Sequence, residues 1–67
     1  MNLFLAKKNV KLKVVKVNNF KLRHLALQGA ICFVLKKYKT FVVVEFVGRG
    51  KSAISHNLAR QIEVVRG

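Results

Sequence analysis

The chain has no proline, no tryptophan and no aspartate, one cysteine, and only two acidic residues, Glu45 and Glu63. Each shortage excludes something. With Cys32 alone, no disulfide can form within the chain. A Cys/His zinc site would have to draw on Cys32, His24 and His56, which have none of the spacings such sites use. A carboxylate pair for general acid–base chemistry could come only from Glu45 and Glu63. Each alternates with apolar neighbours (Val44 and Phe46; Ile62 and Val64), which places it on a solvated strand face within reach of lysines. Ser52, Ser55 and His56 are close in sequence, but no acid follows to orient the histidine. No catalytic constellation emerges, so the chain is expected to be no enzyme and to take no cofactor, metal or small-molecule substrate. The longest apolar run, residues 25–35, is short of the roughly 18 residues of a membrane span and contains Gln28 and Gly29, so no membrane span is expected. Residues 1–6 are too short for a secretory signal and lack a small-residue cleavage site. The protein is expected to be made in its working compartment, or to lack its leader in this sequence.

What is abundant is positive charge. Fourteen Lys and Arg on 67 residues give a formal net charge of +12. Alone in solution such a chain repels itself. On a polyanion the repulsion becomes attraction, and binding releases condensed counterions. Disorder does not fit, because 52% of the residues are hydrophobic, whereas disordered basic tails are poor in apolar residues. One small domain is the limit at this length, and such a domain buries only about 60% of its unfolded surface. With disulfides and metal excluded, a bound partner is the expected source of further stability.

Short strands separated by short breaks run through the sequence. Residues 10–14 (VKLKV) alternate apolar and basic, the period of a half-exposed strand. Val10, Leu12 and Val14 then face the core, and Lys11 and Lys13 the solvent. The phase slips at Val14-Val15 and resumes to Val17, which predicts a β-bulge. Asn18-Asn19 is a turn signal. Residues 20–28 fit either a strand or a short helix. Residues 30–35 (AICFVL) read as a strand buried on both faces, with Cys32 a small buried hydrophobe. Residues 36–39 (KKYK) make a basic connection, and residues 40–47 (TFVVVEFV) a strand. Gly48-Arg-Gly50 is a loop, residues 52–55 a further strand, residues 56–59 a single helical or 3₁₀ turn, and residues 61–65 a last strand. About five such strands predict an all-β fold, a small antiparallel barrel. A single turn before the last strand is the habit of SH3-like barrels. Residues 1–9 read as a basic N-terminal segment and residues 10–67 as the barrel domain.

The basic residues that loops and strand faces would present to a polyanion are Lys11, Lys13, Arg23, Lys36, Lys37, Lys39, Arg49, Lys51, Arg60 and Arg66. The segment 48–52 (GRGKS) has part of a phosphate-binding loop but lacks its first glycine and a following helix. It can still hold backbone phosphate through Arg49, Lys51 and free amides. Lysine outnumbers arginine, and only Tyr38 puts an aromatic ring inside a basic loop. Backbone and shape recognition of folded RNA is therefore expected to dominate over the reading of single-stranded bases.

The order of these segments resembles a known family, the nineteenth protein of the bacterial-type large ribosomal subunit (the L-nineteen family). Residues 14–32 (VVKVNNFKLRHLALQGAIC) lie over the family's basic strand, the stretch before its glycine and its Val/Ile-rich strand, with Arg23 and Gly29 at characteristic positions. Residues 41–44 (FVVV) lie over its next strand, and 48–50 (GRG) over its glycine turn. Residues 62–67 (IEVVRG) resemble its ending. The resemblance covers residues 10–67. The stretches 35–40 and 54–60 are shorter than the family's, and the second lacks its usual proline. The resemblance implies an SH3-like barrel that binds large-subunit rRNA near the subunit interface, beside neighbouring ribosomal proteins. The short, lysine- and asparagine-rich character is similar to a reduced organellar member, mitochondrial first and plastid second. Another class stays open: a basic SH3-like docking subunit of a photosynthetic electron-transfer complex, its basic face meeting an acidic protein.

Overall fold

The computed structural model describes residues 1–18 and 27–67. They form an all-β protein with strands β1 (Leu12–Val17), β2 (Ile31–Lys37), β3 (Phe41–Phe46), β4 (Gly50–Ser55) and β5 (Ile62–Arg66). A 3₁₀ turn (Leu3–Leu5) precedes β1, and a one-turn helix α1 (His56–Ala59) separates β4 from β5. All neighbours pair antiparallel in the order β4-β3-β2-β1-β5. This is the small antiparallel all-β, barrel-like fold that the pattern predicts, with one qualification of shape: β4 and β5, at the two ends, do not pair with each other, so the sheet is not closed.

Two bulges curl the sheet. The register of β1 against β5 shifts between Val14 and Lys16, where the sequence phase slips. That of β2 against β3 shifts between Val34 and Lys36. Each extra residue bends its strand and increases the local twist, which lets so short a sheet wrap a core. The core is the inward face of every strand. Leu12, Val14 and Val17 come from β1, Cys32 and Val34 from β2, Val42, Val44 and Phe46 from β3, Ile54 from β4, and Ile62 and Val64 from β5. Strand β2 differs from its expected burial on both faces. Cys32 and Val34 are buried, but Ile31, Phe33 and Leu35 are only half-buried on the outer face. Among the described residues no layer of helices covers that face, so a continuous apolar run here does not mean two buried sides.

Residues 1–9 add to this core. Leu3 and Ala6 are fully buried in it. Asn2 caps the 3₁₀ turn, its Oδ1 accepting from the Leu5 amide at 3.1 Å, and forms an isolated bridge with Glu63. The Val64 amide donates to the Met1 carbonyl at 2.8 Å, so this segment lies along the outer edge of β5. At the other short element, Ser55 caps α1, its Oγ accepting from the Leu58 amide at 3.2 Å. Ser55→Ala is expected to lower stability by about 1 kcal/mol, read as a lower urea midpoint at unchanged slope. An unchanged midpoint would mean that water replaces the cap without loss.

Burial among these apolar side chains pushes the Cys32 thiol from its ordinary 9.0 up to about 11. The unfolded thiol ionises first. Its contribution to stability is therefore whole below pH 9 and is lost as pH rises through about 11. The stability difference between the wild-type chain and Cys32→Val should shrink or reverse over that window. In the folded protein the thiol should react with alkylating reagents only slowly, and rapidly in denaturant. Fast alkylation of the folded chain would contradict the burial.

Candidate nucleic-acid interface

Every described lysine and arginine is exposed. Strand geometry divides them among three places. The first is the β2–β3 hairpin. Its closing bond runs from the Tyr38 amide to the Phe41 carbonyl at 2.8 Å, leaving Lys39 and Thr40 as the loop. Lys36 and Lys37 sit at the end of β2, paired with Val43 and Val42. Helix α1 is locked against this loop, because the His56 amide donates to the Thr40 carbonyl at 3.3 Å. The His56 ring lies 3.0 Å from the Tyr38 carbonyl through Nε2. A carbonyl can only accept, so Nε2 carries the proton of that bond. The ring also meets Phe4 edge-on at 4.9 Å, and Arg60 lies over Phe4 at 4.4 Å. Lys37 Nζ donates to the Phe4 carbonyl at 3.3 Å. The hairpin, α1 and the N-terminal turn thus gather Lys36, Lys37, Lys39 and Arg60 around two aromatic rings.

The second place is the β3–β4 turn, with Arg49 and Lys51. Gly48 and Gly50 take φ of 79° and 86°, the left-handed region that the turn requires and that a side chain would strain. A strand follows Gly50, not a helix, so the segment lacks the helix N-terminus on which a phosphate-binding loop depends. The third place is the β1–β5 side. Lys13 pairs with Val65, Lys16 with Glu63, and Leu12 with Arg66. The Gly67 amide donates to the Lys11 carbonyl at 3.1 Å. Lys7 and Arg66 flank a shallow groove floored by Val10 and Leu12. Of the residues expected from sequence, Arg23 lies outside the described residues, as does the ambiguous stretch up to residue 26.

The first two places stand at opposite ends of β3. Its six residues separate them by roughly 17–20 Å at the usual rise per residue. The charge therefore forms no single pocket but several patches around the barrel. Counter-charge is scarce. Glu45 faces Lys51 across the β3–β4 pair, and Glu63 lies 3.3 Å from the Met1 amino group. Among the described residues, Lys36, Lys37, Lys39 and Arg60 make no ion pair.

Comparison with protein-family models and with curated proteins finds no match. The chemistry of the surface must therefore speak for itself. Exposed cations at a two-residue hairpin and at a glycine turn are suited to phosphate, which asks for point charges and hydrogen-bond donors more than for a shaped cavity. Among the described residues, no three His, Cys, Asp or Glu side chains come together so as to hold a metal ion, and no helix is long and apolar enough to cross a membrane.

Sequence reasoning groups Lys36, Lys37 and Lys39 in one loop and Arg49 and Lys51 in another, but does not bring Arg60 and Phe4 to the first of them. Phe4 and His56 meet across the fold, and nothing local in either segment announces the other. Tyr38 inside a run of lysines was the one visible signal.

Proposed function

We propose that the protein is a structural component of the large ribosomal subunit, related to the L-nineteen family and working in an organellar ribosome, mitochondrial before plastid. It binds rRNA backbone through its basic loops and packs beside neighbouring ribosomal proteins, with no catalytic role. The observation that carries this is the surface charge: exposed cations at both ends of β3 and along β1 and β5, against two carboxylates in the whole sequence. A polyanion that touches several sides of the barrel can neutralise all of these patches; a small ligand cannot. The resemblance of residues 10–67 to the family, and their closing IEVVRG most of all, supports the same conclusion.

The deciding experiment is a sucrose gradient of lysate from the source cells or organelles, with the chain followed by mass spectrometry. Co-sedimentation with large subunits and intact ribosomes, with release only at high salt, is expected. Sedimentation with a membrane electron-transfer complex, or at the top of the gradient, would overturn the proposal.

A further inference from the structure

We propose that the β2–β3 hairpin is a stacking site for one unpaired nucleobase, with the Tyr38 ring as its platform. The inference rests on the RNA-binding reading above and adds a base contact to what is otherwise backbone recognition. Tyr38 is 43% exposed at the hairpin end. Its ring is stacked on Phe41, with centroids 4.7 Å apart and planes within 21°, so one face is covered and the orientation of the ring is set. The ammonium of Lys36 lies 5.2 Å from the ring centroid and marks the face left to solvent. The backbone beneath is held on both sides, since the Tyr38 amide donates to Phe41 at 2.8 Å and its carbonyl is bonded to His56 at 3.0 Å. The platform is therefore in place before any ligand arrives, and little ordering remains to oppose binding.

A base can take the position that Lys36 now covers. Base–aromatic stacking outweighs a cation–π contact at an exposed site, and the displaced ammonium can move to the phosphate of the same nucleotide. Lys37 and Lys39 adjoin Tyr38 in the chain, and Lys37 can exchange its bond to the Phe4 carbonyl for an adjoining phosphate. One ring with one open face accepts one base. A base inside a duplex has no free face to offer, so the ligand is a bulged, looped-out or terminal nucleotide.

Tyr38 is the one tyrosine of a chain without tryptophan, so intrinsic fluorescence reports on this ring alone. The test titrates the full chain with two RNA hairpins at one salt concentration, identical except for a single bulged adenosine. The bulged RNA should bind about tenfold more tightly and quench the tyrosine emission. Tyr38→Leu should abolish that preference and leave affinity for the paired hairpin unchanged, whereas Tyr38→Phe should retain it. Equal binding of both RNAs with no quenching overturns the site while leaving backbone recognition intact. Equal weakening of both by Tyr38→Leu also overturns it, since the ring would then serve only the hairpin. Failure of both RNAs to bind the wild-type chain removes the RNA-binding reading and the site together.

Discussion

Replacing Leu12 with alanine is expected to leave most of the chain unfolded in dilute buffer. Leu12 is fully buried and sits where β1 is flanked on both sides, opposite Cys32 of β2 and Arg66 of β5. Removing a buried leucine side chain typically costs about 2–5 kcal/mol, the upper end where the surroundings cannot collapse into the space. A strand held by two neighbours has little freedom to move inward. A domain of this length has roughly 3–10 kcal/mol of stability to lose, and self-repulsion of the free chain draws on it further. The loss is therefore comparable to the whole. Circular dichroism should show the strand signal of the variant largely gone, or its urea midpoint shifted close to zero denaturant. A midpoint near that of the wild-type chain would show that the core does not depend on Leu12, and would contradict the packing described here.

The second large effect is on binding. If Lys36, Lys37, Lys39, Arg60, Arg49 and Lys51 each neutralise one phosphate, the logarithm of affinity falls with that of salt at a slope of about −5. Affinity for RNA should then drop about a thousandfold between 50 and 200 mM monovalent salt. Replacing Lys36, Lys37 and Lys39 together with alanine should flatten the slope by about 2.7, because three counterion-releasing contacts are lost while the far end of β3 keeps its own. Binding that barely responds to salt would rule out phosphate neutralisation as the basis of affinity. A triple variant with the parent slope would place the contacts elsewhere on the barrel.

Much of the fold was legible in the sequence because strand pattern is a local property. The alternation of Leu12 and Val14 with Lys13 fixed the inner face of β1, although the strand begins at Leu12 and leaves Val10 half-buried before it. The doubled Val14-Val15 disclosed its bulge, and residues 56–59 read as one turn. The part played by residues 1–9 was not legible. Leu3 and Ala6 reach the core from a single 3₁₀ turn, too short to show any periodicity. The exposed face of β2 was misjudged for a related reason, since an unbroken apolar run does not reveal whether a second layer exists to cover it. The candidate interface divides the same way. Which residues are cationic and exposed follows from composition and alternation. That Lys36, Arg60, Phe4 and Tyr38 share one end of the barrel follows only from the pairing of β2 with β3 and the docking of α1, and long-range pairing leaves no local trace.

The position of β1 has a consequence for how the chain is made. Leu12 pairs with Arg66, 54 positions later, and β1 is the bridge between β5 and the remaining strands. While the chain is being synthesised, its early strands can form the β1–β2–β3 meander but not the finished core, whose inward face still lacks Ile62 and Val64. Folding must wait until β5 has left the exit tunnel, and closing so long a loop is slow. During that interval the Val-rich strands are open to association with other nascent chains. The same lysines that would later meet phosphate keep those chains apart, acting first as a safeguard against aggregation and only afterwards as a means of recognition.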